Sequence, residues 1–103
     1  MYTMPKINLP KPVEFEWDSH NQEKNWHKHK VDYKECEQAF KNLPIIIFED
    51  LKHSHLEPRY TLFGKTDNQK LLSITYTIRN NKVRVISARD QNKKERSKYE
   101  KEK

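Results

Sequence analysis

Residues 71–86 leave this chain little choice of fold. Two alternating runs, 71–78 and 83–86, rich in β-branched and aromatic residues, are separated by Arg79, Asn80, Asn81 and Lys82. Asparagine is one of the few residues that tolerate the positive φ angles of a two-residue hairpin turn, so Asn80-Asn81 predicts that turn. With Arg79 and Lys82 flanking it, Ile78 pairs with Val83, Thr77 with Arg84, Tyr76 with Val85 and Thr75 with Ile86. Side chains alternate across a strand. Ile74, Tyr76, Ile78, Val83 and Val85 therefore fall on one face and Thr75, Thr77, Arg79, Lys82 and Arg84 on the other, with Ile86 the exception. The hairpin predicts an antiparallel sheet with one apolar face and one basic, hydroxyl-bearing face.

The flanking segments supply the rest of an α+β domain. Pro5, Pro10 and Pro12 make residues 1–12 an extended leader that adds little to a core, so the single domain is expected over residues 13–103. Val13, Phe15 and Trp17 alternate with Glu14 and Glu16 as in a short half-buried strand. Asp18 or Ser19 then opens a helix to about His29, with Trp26 its main apolar anchor. A second helix starts at Asp32, spaced from Glu35 as in a capping box. It carries Tyr33, Cys36, Phe40 and Leu43 on one side and stops at Pro44. Residues 45–48 suit a buried strand, and 49–58 a polar connection. Tyr60, Leu62 and Phe63 form a strand that turns at Gly64, and Asp67-Asn68 marks a further turn. Asn92 with Glu95 caps a final helix so polar that it needs a docking contact to persist. The architecture expected is two N-terminal helices and a C-terminal helix packed with a twisted antiparallel sheet.

Composition narrows the function. With 33% hydrophobic residues in 103, the core is thin, and small domains of this kind often gain stability from a second chain. A net charge of +6 favours a polyanion such as RNA or DNA, or an acidic protein. The single Cys36 forms no internal disulfide and reads as a small core residue. The first residues lack a secretion signal and no run is long enough to cross a bilayer, so a cytoplasmic protein without membrane contact is expected.

The segments also resemble one family in detail. Phe15-Glu16-Trp17-Asp18, Asn25, Lys28-His29, Val31, Glu49-Asp50, His53-Ser54, Glu57, Arg59, Gly64, Tyr76-Thr77, Arg79, Arg84, Ile86-Ser87-Ala88-Arg89, Glu95-Arg96 and Tyr99-Glu100 follow the pattern of the BrnT toxins over roughly residues 13–100. The resemblance implies a RelE-like fold, ribonuclease activity that inhibits growth, and neutralisation by a BrnA-like antitoxin. It also implies that the toxin meets operator DNA through that antitoxin complex, within which a homodimer is possible. Several positions depart from the pattern: Asn21 stands where the family usually has lysine, Lys30 where it usually has glycine and Gln91-Asn92 where it usually has Ala-Thr, and Leu56 and Pro58 make the loop at 53–58 less polar than is typical.

RNA cleavage without a metal or other cofactor needs a base for the 2′-hydroxyl, donors for the phosphate charge and an acid for the leaving oxygen. His53 and Glu57 are the candidate bases, and Arg59, Arg79 and Arg84 the candidate phosphate ligands, because guanidinium presents paired donors to phosphate oxygens. Thr75 and Thr77 add hydroxyls. Lys24, Lys28, His29, Lys82, Arg89 and Tyr99 are candidate RNA contacts. Alternation puts Arg89 on the opposite face from Arg84, where it would pin the final helix, and Tyr99 serves equally as that helix's docking anchor. His27 and His29 are two apart on a helix and point apart, whereas His53, His55 and Glu57 would hold zinc only in an extended loop, so no metal is expected. Two other readings remain: a non-catalytic partner in an operator-binding complex, and a basic nucleic-acid-binding module.

Overall fold

A computed structural model describes residues 13–53 and 57–102; the leader at 1–12 and His55 lie outside the described residues. The elements are α1 (Ser19–His29), α2 (Tyr33–Ala39), β1 (Ile46–Glu49), a short 3-10 turn (Leu51–His53), β2 (Tyr60–Lys65), β3 (Leu71–Arg79), β4 (Lys82–Asp90) and α3 (Lys93–Glu100). Each strand pairs antiparallel with the next, in the sheet order β1-β2-β3-β4. This is the expected α+β architecture, with two helices before the sheet and one after it. None of the helices among the described residues is long and apolar enough to cross a membrane.

The hairpin forms as its sequence dictates, with φ of 51° at Asn80 and 62° at Asn81. Ile78↔Val83, Thr77↔Arg84 and Tyr76↔Val85 pair as predicted, but Thr75 meets Ser87 instead of Ile86. Ile86 is the extra residue of a β-bulge, which resets the alternation of everything beyond it. Ala88 thereby faces the core opposite Ile74. Arg89, opposite Ser73, comes onto the same face as Arg84 and not the opposite one.

The bulge sits where β4 would otherwise be an open edge. The N-terminal segment covers the first part of that edge: the Val83 amide donates to the Glu14 carbonyl and the Glu16 amide to the Val83 carbonyl, both at 2.8 Å. The strand expected at 13–17 is thus reduced to a single parallel bridge at Phe15. Beyond it α1 takes over. The Asn21 amide donates to the carbonyls of Glu16 (3.1 Å) and Val85 (3.3 Å), and the Ala88 amide donates to Asn25 Oδ1 at 2.9 Å. Unpaired backbone groups at a buried edge are costly, and these side chains do the work of a further strand. The residues α1 buries are accordingly Asn21 and Asn25, whereas Trp26, expected as its anchor, is 49% exposed.

Two layers of packing flank the sheet. On one face α2 contributes Cys36, Ala39 and Phe40 to a core with Ile47, Leu62, Leu72, Ile74, Tyr76, Val83, Val85 and Ala88. Phe15 and Trp17 close it from the N-terminal side. Burial pushes the Cys36 thiol up to about 12, which leaves it an inert core residue. The second helix ends at Ala39, four residues earlier than expected, and Leu43 is 76% exposed. Gly64 lies within β2 and makes no turn; the turn follows at residues 66–69, with Gln69 at φ 68°. At Gly64 an added Cβ would stand 2.6 Å from the Ala39 carbonyl oxygen, because the end of α2 packs directly on the strand. Gly64→Ala is therefore expected to cost about 1–3 kcal/mol, measured as a lower urea midpoint with an unchanged slope.

Candidate active site

On the other face, α3 covers only part of the sheet. Tyr99, fully buried, packs on Ile46 and Phe63 with Phe48 and Leu71 at its edge, and its hydroxyl donates to the Pro44 carbonyl at 2.7 Å. The rest of that face is polar. An open cleft of about 440 Å³ runs between α3 and the 3-10 turn, lined by Phe48, Glu49, Asp50, Leu51, Lys52, Thr61, Ser73, Thr75, Arg89 and Glu95. Arg89 forms a paired bridge to Glu95 of α3, at 2.7 and 2.9 Å, fixing the helix against the cleft floor.

Further along β3 and β4 the same face carries a cluster of arginines and carboxylates. Arg79 donates from Nε (3.2 Å) and Nη2 (2.9 Å) to the two carboxylate oxygens of Glu57. Arg84 donates to Glu16 at 3.1 Å and Asp18 at 2.8 Å. The hydrogen bonds from Arg79 hold the Glu57 carboxyl below its usual range, and the charges of Arg79, Arg59 and Arg84 push the same way. Glu57 is thus paired directly with Arg79 alone, while Arg59 and Arg84 act on it through their charge. A carboxylate so stabilised is a weak proton acceptor and a good clamp for Arg79. Asp18 has a second task. Its side chain caps α1 through the Asn21 amide, and that bond, followed by Arg84, lowers its pKa.

The candidates from the sequence separate into groups. Glu57 and Arg79 are paired, Arg84 lies on the same sheet face, the charge of Arg59 reaches Glu57, and Lys82 is exposed opposite Arg79 at the turn. His53 ends the 3-10 turn whose Leu51 and Lys52 form one wall of the cleft. Thr75 lines the cleft, but Thr77 is buried, its hydroxyl donating to the Pro58 carbonyl at 2.7 Å. Tyr99 leaves no ring face for a base, so the docking role is the one it fills. Lys24 reaches the Ile86 carbonyl at 3.5 Å, on the covered edge of β4. Lys28 is exposed and His29 half-buried in the last turn of α1, where basic residues favour the helix dipole. Glu16, Asp18 and Glu95 are the site residues that sequence reasoning missed. Alternation marks Glu14 and Glu16 as the polar side of their segment, but only the fold sets that segment beside the strand that carries Arg84. Among the described residues, no group of three His, Cys, Asp or Glu is gathered as metal ligands would be.

The fold and this face define a small basic α+β protein with a solvent-open, arginine-rich site. Residues 17–95 match the family described as the ribonuclease toxin, BrnT, of type II toxin-antitoxin systems, and the chain belongs to that family. No curated protein matches it. Membership places the chain among ribonuclease toxins that work opposite an antitoxin. The departures at positions 21 and 30 are explained by geometry. Asn21 is 4% exposed and bonded on three sides, so position 21 of this chain is part of the scaffold. Lys30 is the C-cap of α1 at φ 57° and ψ 38°, the left-handed conformation that glycine adopts without strain.

Proposed function

We propose that this chain is a cytoplasmic, metal-independent endoribonuclease that a BrnA-like antitoxin holds inactive. What supports this most is the placing of Arg79 and Arg84, each oriented by carboxylates, on one open sheet face beside a cleft. Scissile phosphate sits on the guanidinium forks of Arg79 and Arg84, which neutralise the charge that builds on its oxygens during attack. Glu57 orients Arg79 and takes no proton. His53, next in the chain after Lys52, is the base: it removes the 2′-hydroxyl proton, the 2′ oxygen attacks phosphorus, and the 5′ oxygen leaves with a proton from solvent. Arg89 and Lys52 hold neighbouring phosphates. In the complex the toxin meets operator DNA through its antitoxin.

One observation favours a second reading. The Arg84 side chain is 18% exposed and already held by two carboxylates, as a structural brace would be, which fits a non-catalytic partner in an operator-binding complex. The purified chain, freed of its antitoxin and incubated with RNA in EDTA, decides. Fragments ending in 2′,3′-cyclic phosphate are expected, with many turnovers per molecule. RNA left intact at a large excess of protein would sink the ribonuclease reading and leave the second.

A further inference from the structure

The charge on α3 is sorted by side. Glu95 points inward to Arg89, Tyr99 packs on the sheet, and Arg96 donates to the Gln91 carbonyl at 3.1 Å. Most of the outer side is lysine and serine: Lys93, Lys94, Ser97, Lys98 and Lys101 line a shallow groove of about 580 Å³ with no carboxylate among them, and the exposed Glu100 lies beside that groove and not in its lining. Lys94 and Lys98 are four apart and Lys98 and Lys101 three apart, spacings at which like charges repel along a helix. A helix face that only needs to stay solvated ordinarily mixes signs. This one accepts repulsion, and a bound polyanion would relieve it.

The row is also in the right place. Lys98 Nζ lies 5.2 Å from the centre of the Phe48 ring, and Phe48 and Glu95 form one wall of the cleft. The row therefore meets the rim of the cleft at Lys98 and spans about 10 Å along the helix, the rise from Lys94 to Lys101. We propose that the outer face of α3 is a track for single-stranded RNA, gripping the backbone phosphates of the segment that extends beyond the cleft. The proposal rests on the ribonuclease reading for its ligand. Continuity with the cleft favours RNA over an acidic protein surface, and a row one helix wide suits one strand.

The test is binding of a fluorescein-labelled 2′-O-methyl oligouridylate, which has no free 2′-hydroxyl and cannot be cleaved. Anisotropy titrations between about 50 and 200 mM salt give the slope of log K against log salt, near −0.7 per phosphate contact for single strands. The full chain carrying Lys94→Gln with Lys98→Gln is expected to lose about 1.4 of that slope, two contacts' worth. Lys94→Gln with Lys101→Gln, which leaves the Phe48 contact intact, is expected to lose as much. Lys34→Gln with Lys41→Gln lowers net charge equally on the opposite side of the sheet and is expected to leave the slope nearly unchanged. Equal slopes in all three would overturn the track, even for a chain that cleaves RNA. A chain that cleaves nothing but keeps the slope difference would overturn the ribonuclease reading and leave the track standing.

Discussion

Arg84→Ala is expected to lower kcat/KM for RNA cleavage by about 100- to 1,000-fold, the usual effect of removing one preorganised donor from a developing oxyanion. That corresponds to roughly 3–4 kcal/mol of transition-state stabilisation. Stability should respond far less. Arg84 bridges Glu16 and Asp18, whose side chains are 32% and 50% exposed, and pairs so open to solvent contribute at most about 1 kcal/mol. Asp18→Asn separates the two roles, because asparagine caps a helix as well as aspartate does and Glu16 still holds the guanidinium. It should keep the fold and cleave within about tenfold of the parent, since no phosphate donor is lost. Arg84→Lys keeps the charge without the fork and should fall between the two. If the loss in Arg84→Ala instead tracks its fraction unfolded, measured in the same preparations, Arg84 is a brace and the catalytic assignment fails.

The hairpin turn and the helix caps are legible in the sequence, whereas the turn expected at Gly64 and most contacts between distant segments are not. The Asn80-Asn81 turn depends on two φ angles, and the caps at Asp18, Asp32 and Asn92 on residues three apart, so each could be seen in a few residues. The bulge at Ile86 could not. It is stabilised by Asn25 of α1, sixty-three residues away from Ala88, and it turned Arg89 toward the cleft against simple alternation. The same reason hid the burial of Asn21 and Asn25: polar residues on a helix read as a solvated face unless a strand edge lies beneath them. Trp26 and Leu43 were overvalued because their apolar character was weighed without knowing what α1 packs against or where α2 ends. In the site, Arg79 and Arg84 were placed by the hairpin register. Their carboxylate partners come from residues 16, 18 and 57, which only the tertiary fold brings near.

Tyr99→Ala should be the most destabilising of the substitutions considered, by about 3–5 kcal/mol for loss of a buried aromatic side chain. In a small domain whose whole stability is of the order of 5–15 kcal/mol, that is a large fraction. Tyr99 is the one residue α3 buries, and eight residues form too short a helix to persist undocked. What remains to hold it is polar and largely exposed: the Asn92–Glu95 capping box, the Arg89–Glu95 bridge, the Arg96 bond to the Gln91 carbonyl and Lys98 over Phe48, each at most about 1 kcal/mol. The helix should therefore leave the sheet before the rest of the domain unfolds, carrying Glu95 away from Arg89 and removing one wall of the cleft. Tyr99→Phe isolates the hydroxyl: it keeps the ring and strands the Pro44 carbonyl, at a cost of about 1–2 kcal/mol. Hydrogen exchange distinguishes local from global opening. In Tyr99→Ala the amides of residues 96–100 should lose protection while those of β3 keep theirs. Equal protection of α3 in parent and variant would mean that the lysine-bearing helix is anchored by something other than its tyrosine.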